Sequence, residues 1–134
     1  MSSGLKGFSE LPHTHARGAA AEEAAEGYLR GVGYRIVARN VRTKGGELDI
    51  VALDGDTLCF IEIKARATAE YGRAIEAVGP QKQRRLARAA ALFLARNRSD
   101  RPCRFDVLGL DRNREGAWGF TLLKNAFDAP LLSS

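Results

Sequence analysis

The chain has 134 residues, 45% of them hydrophobic and 28% charged, with a formal net charge of +5. That length suits one domain with a single core, and the composition excludes a fibrous or wholly disordered protein. No apolar run approaches the ~18 residues that cross a bilayer, and residues 1–7 lack the apolar centre of a signal peptide, so no membrane association and a cytoplasmic location are expected.

Residues 1–16 mix Ser, Gly, His and Pro without periodicity and read as a flexible tail, ahead of one domain at 17–127 and a C-terminal tail at 128–134. From 18 to about 32 the spacing is helical: Ala21, Ala24, Ala25, Tyr28, Leu29 and Val32 share a face, and Gly31 and Gly33 stop it. Residues 34–42 read as a strand, with Ile36, Ala38 and Asn40 on one face and Val37, Arg39 and Val41 on the other. Lys44-Gly45-Gly46 turns into a second strand at 47–53, and Asp54-Gly55-Asp56 turns into a third at 57–66. In the third, Leu58, Phe60, Glu62 and Lys64 point one way and Cys59, Ile61, Ile63 and Ala65 the other. Apolar residues on both faces mark a central strand.

A loop holding Tyr71-Gly72 follows, either a segment near substrate or a simple turn. Gly79-Pro80 opens a helix to about 97, and strands are expected at 104–110 and 119–123. Tight turns make the first three strands antiparallel neighbours. The long helix serves as a crossover that sets the fourth parallel to one of them. The expected fold is α/β, a mixed sheet flanked by helices in the order α-β-β-β-α-β-β.

The chemistry concentrates in two strands. Gly46-Glu47-Leu48-Asp49-Ile50-Val51 puts a carboxylate inside an apolar strand, and Phe60-Ile61-Glu62-Ile63-Lys64 puts a carboxylate and a lysine inside the next. Ionised groups sit in apolar strands when they are paired, bind metal or do chemistry. Asp49 and Glu62 suit one hard cation, Mg²⁺ or Mn²⁺, with the Ile63 backbone carbonyl as a third ligand. Lys64 is then placed to handle the attacking water or the charge developing on a phosphodiester. The isolated motif is common, and Glu-x-Lys often decorates solvated faces. Its placement on two apolar strands is what favours a site.

The chain as a whole resembles the YraN-type family of small bacterial proteins, placed in the restriction-endonuclease-like, PD-(D/E)xK, superfamily beside archaeal Holliday-junction resolvases. The resemblance spans about 17–127. It rests on Glu22 with Ala24-Ala25 and Tyr28-Leu29, Gly33-Tyr34, Ala38-Arg39-Asn40 and Gly46-Glu47-Leu48-Asp49. It continues through Ile61-Glu62-Ile63-Lys64-Ala65-Arg66, Tyr71-Gly72, Lys82 with Arg85-Leu86, Arg104-Phe105-Asp106-Val107 and Asn125-Ala126-Phe127. It implies that Asp49 and Glu62 hold metal, that Lys64 is catalytic, and that Glu22 joins the site through water or a second metal. Ala21 departs from the family's usual glycine, which bears on how closely the first helix approaches the sheet. The resolvase kinship implies cleavage of branched DNA by a two-fold homodimer.

The remaining charged groups each admit a plainer reading. Glu47 either adds a ligand or pairs with an arginine at the turn. From 79 to 98 the chain carries Lys82, Arg84, Arg85, Arg88, Arg96 and Arg98 and no acid. Of these, Lys82, Arg85 and Arg88 suit a phosphate backbone, with Arg66 reaching substrate from the third strand, although charge runs commonly form solvated faces. Asp106 reads as structural, paired with an arginine. Cys59 and Cys103 read as buried reduced thiols, and His13 and His15 as tail residues without a metal role. Gly31-Val32-Gly33 follows a helix and is no nucleotide loop, and Walker A, His-Glu-x-x-His and Cys-x-x-Cys motifs are absent from the sequence. The expected activity is metal-dependent endonuclease cleavage, on DNA more readily than RNA. The alternative is a nucleic-acid-binding accessory protein that keeps the fold and cuts little.

Overall fold

The computed structural model describes residues 18–66 and 78–128, with backbone alone for Ala65 and Arg66. The tail expected at 1–16, the chain beyond Asp128, and Tyr71-Gly72 lie outside the described residues. The elements are α1 (Gly18–Gly31), β1 (Tyr34–Thr43), β2 (Gly46–Asp54), β3 (Thr57–Arg66), α2 (Pro80–Arg96), β4 (Cys103–Arg112) and β5 (Trp118–Phe127). The strands form one sheet in chain order. β3 and β4 run parallel and every other pair is antiparallel. The parallel step falls where α2 intervenes, because a strand can return in the same direction only through a crossover.

The helices cover opposite faces. Against α2, Leu86, Ala89, Ala90 and Phe93 pack on Leu48, Val51, Phe60, Phe105 and Val107. Phe60 meets Phe93 edge-on at 6.0 Å and Phe105 at 5.5 Å, and Phe105 stacks on Phe127 at 4.7 Å, so an aromatic chain ties α2 to the far edge of the sheet. Against α1, Ala21, Ala25 and Leu29 pack on Ile50, Ala52, Ile61, Ile63, Leu108 and Leu110. The alternation in β3 is as expected: Leu58 and Phe60 join the α2 side, and Cys59, Ile61 and Ile63 join the α1 side. The expected α/β architecture stands, and the arrangement is restriction-endonuclease-like.

Two strand expectations are corrected. In β1 strict alternation fails: Ile36 packs on the α1 side and Ala38 on the α2 side, across a bulge between them. Asn40 then takes a positive φ of 52°, which an asparagine tolerates better than most residues. The irregularity lets Arg39 turn to α1, where it donates to both Glu26 oxygens at 2.6 and 2.8 Å. β5 also runs on to Phe127 rather than ending at 123. Asn125 adopts φ 56° opposite a register shift in β4, and its N–H donates to the Asp106 side chain at 2.9 Å, so the strand continues through the irregularity.

Asp106 is fully buried yet saturated with donors. It accepts from Tyr34 Oη at 2.7 Å and from Arg104 Nε and Nη2 at 2.9 and 3.0 Å. Arg104 also reaches Asp54 at 2.8 Å, and Lys124 reaches the same Asp54 oxygen at 3.0 Å. The arginine partner expected for Asp106 is therefore present, within a network joining β1, β2, β4 and β5.

Candidate active site

The β2–β3 ladder runs from Asp54↔Thr57 to Ile50↔Ile61. Continuing it by one step sets Asp49 opposite Glu62, and there the two strands part. Asp49 occupies the opening, where its Oδ2 accepts the Ile63 N–H at 2.9 Å, replacing a ladder bond that would otherwise be lost. In an extended strand a residue's N–H and C=O point to the same side. The Ile63 carbonyl therefore faces the same opening as Asp49.

Glu62 projects from the α2 face of β3. Its Oε2 lies 3.2 Å from Lys82 Nζ and 3.8 Å from Lys64 Nζ. Asp49 and Glu62 are only 7% and 6% exposed. Burial first, and then the negative charge of Asp49, push Glu62 up to about 7, against the pull of the two ammonium groups. Two buried carboxylates side by side, with a backbone carbonyl beside them, form a hard-oxygen donor set that fits Mg²⁺ or Mn²⁺. Among the described residues no three His, Cys, Asp or Glu side chains gather as a metal cluster. A two-carboxylate site completed by carbonyl, water and phosphate oxygens matches the preference of Mg²⁺.

The structure thus brings together Asp49, Glu62, Ile63 and Lys64, and adds Lys82. Sequence reasoning gave Lys82 to the phosphate backbone. The signal for its inward position is helical spacing: Lys82 lies one turn before buried Leu86, on the stripe that continues through Ala89, Ala90 and Phe93. Arg85 and Arg88 fall off that stripe and are exposed. They flank the β1–β2 turn, which approaches so closely that a Cβ on Gly45 would stand 2.6 Å from Arg88 Cγ. Gly46 at φ 145° completes the turn in a conformation that side chains rarely adopt.

Glu22 is buried on α1, on the other side of the sheet from α2; the hydrogen bond from Arg39 to Glu26 chiefly, and then the charges of Glu26 and Glu22, raise the pKa of Arg39. Glu47 pairs with Arg42 across the β1–β2 hairpin at 3.4 Å, the turn-holding reading of that residue. The Arg66 backbone pairs in register with Asp111, while its side chain lies outside the described residues, as do His13 and His15. Cys59 and Cys103 are both free thiols, Cys59 buried and Cys103 half-buried. Burial, chiefly, pushes Cys59 up to about 12, which makes it unreactive at neutral pH.

Residues 21–110, from α1 through most of β4, match the uncharacterised protein family UPF0102. The chain belongs to this family. It is 50% identical over 113 residues to a UPF0102 protein of Symbiobacterium thermophilum, covering 84% of this chain and 96% of that protein. Over 113 residues it is 47% identical to a UPF0102 protein of Pseudomonas entomophila, covering 83% and 92%. A UPF0102 protein of Herminiimonas arsenicoxydans is 42% identical over 127 residues, covering 93% and 98%. This is the YraN-type family to which the sequence resemblance pointed, and the matched UPF0102 segment contains Glu22, Asp49, Glu62, Lys64 and Lys82.

Proposed function

We propose that this UPF0102 protein is a metal-dependent endonuclease acting on nucleic-acid phosphodiester bonds, with DNA preferred to RNA and Mg²⁺ or Mn²⁺ as cofactor. One observation carries the reading: Asp49 and Glu62 are buried side by side at the point where β2 and β3 part, with the Ile63 carbonyl and Lys64 beside them. Asp49, Glu62 and the Ile63 carbonyl would hold the metal, which when bound lowers the pKa of water and offsets charge on phosphate. Lys64 orients the attacking water or neutralises charge on the phosphate oxygens. Lys82, whose ammonium balances Glu62, is free to transfer to a phosphate oxygen once a cation takes over that carboxylate. Arg85 and Arg88 line the approach and contact the backbone away from the scissile bond. Glu22, on the α1 side of the sheet, would join the site only through water or a second metal. Cleavage of branched DNA would call for a two-fold homodimer, since a four-way junction presents two equivalent strands. Two free thiols favour a cytoplasmic location.

A second reading, a nucleic-acid-binding accessory protein without cleavage, is favoured by the two lysines that already compensate Glu62. Labelled linear, single-stranded, flapped and four-way-junction DNA incubated with Mg²⁺, Mn²⁺ or EDTA separates the two. Metal-dependent cutting is expected in the wild type, reduced at least about a hundredfold in Asp49→Ala and Lys64→Ala. Tight binding of these DNAs with no cutting in either metal would select the accessory role.

A further inference from the structure

At the other end of α2 from Lys82, a cavity of about 280 Å³ opens between the helix and the β1–β2 hairpin. Its floor is apolar, from Val41, Leu92 and Phe93, and its walls carry Arg42, Lys44 and Arg96. Leu92 is 39% exposed, one of three large apolar side chains among the described residues that face solvent to this degree. A volume close to the lower bound of small-ligand sites, about 300 Å³, suits one planar ring system rather than a peptide segment. Apolar side chains beside basic ones suit an aromatic base joined to a phosphate, the base packing on aliphatic carbon and the phosphate meeting the cations. Arg42 is paired with Glu47 at 3.4 Å, and Lys44 and Arg96 also line the cavity.

The position strengthens the match. From Lys82 to Arg96 is fourteen residues of helix, about 21 Å, and the row between them carries Arg85 and Arg88 against the hairpin turn. That distance separates the cavity from the carboxylate pair by several nucleotides of strand. Arg85 and Arg88 would bridge the interval through phosphates. We propose that this cavity is a nucleotide subsite that packs one unpaired base of the substrate strand against Leu92, about 21 Å of helix from the carboxylate pair. The proposal rests on the nuclease reading and narrows it, since a base can enter only from a single-stranded stretch. A flap, gap or opened junction arm supplies such a stretch, and a blunt duplex does not.

The test uses the full chain in EDTA, so that binding is read without cleavage. Fluorescence anisotropy compares a twelve-nucleotide deoxyadenosine strand with a wholly abasic strand carrying the same number of phosphates. Wild type should prefer the strand with bases by about tenfold, the effect of taking about 60 Å² of apolar surface out of water. Leu92→Ala should cut that preference at least threefold while leaving abasic affinity unchanged, and Leu92→Trp should enlarge it. Arg85→Gln should weaken both strands alike. Thermal melts of the Leu92 variants, altered at an exposed position, establish that each is folded. Equal affinity for the two strands, or a preference untouched by both Leu92 variants, overturns the subsite and leaves the nuclease reading standing. No binding of either strand likewise overturns the subsite, and the nuclease reading is then decided by the cleavage assay with Mg²⁺ or Mn²⁺.

Discussion

Asp49 does two jobs with one side chain. It caps the Ile63 N–H where the ladder ends, and its charge raises its neighbour Glu62. Because a proton and a metal compete for Glu62, Mn²⁺ affinity should fall by up to about tenfold per pH unit below about 7 and level off above it. Isothermal titration between pH 5.5 and 8.5 reads this directly, and a flat profile would remove Glu62 from the metal site. The sign for the metal-free fold is the opposite. A carboxyl raised above its ordinary value contributes stability below that value, and the contribution is lost as pH rises through about 7. Lys82→Met should move the midpoint of the metal titration upward, since the lost ammonium had been pulling Glu62 down.

Between elements, the strongest ties are buried and the weakest exposed. Asp106→Ala would leave Arg104 and the Tyr34 hydroxyl without their shared acceptor, at a cost of about 3–5 kcal/mol in urea unfolding. Arg42→Ala at the exposed Glu47 pair should cost under about 1 kcal/mol in the same assay. Similar losses from the two would mean that the Asp106 network does not anchor the sheet. Gly45→Ala asks Arg88 to move from a 2.6 Å clash, which should cost about 1 kcal/mol and detach the hairpin turn from α2. Helical spacing showed that α2 has an apolar stripe and a basic remainder. That Lys82 belongs to the stripe while Arg85 and Arg88 do not was legible in that spacing, but only once the stripe's partner strand is known to carry Glu62.

Over the whole molecule, a charge of +5 is modest, and what matters is that one cation of α2, Lys82, reaches Glu62 while Arg85 and Arg88 flank the β1–β2 turn. DNA affinity should fall with rising salt, and Arg85→Gln or Arg88→Gln should each lower the log–log slope by about one phosphate contact. A slope unchanged in both variants would return that row to the role of a solvated helix face. No helix among the described residues is long and apolar enough to cross a membrane.

The order of elements, the central place of β3 and the placing of Asp49 and Glu62 on neighbouring strands were all determined by the sequence alone. Alternation, tight turns and a long amphipathic helix are local patterns with few three-dimensional solutions. The tertiary structure decided what depends on contacts between distant segments. The bulge that turns Arg39 toward Glu26, the run of β5 past Asn125, and the inward reach of Lys82 to Glu62 are three such cases. It also decided the side of the sheet on which Glu22 sits and the cavity beside Leu92. Each turns on which groups meet across the sheet, and a single strand's pattern carries no record of its neighbour's irregularities.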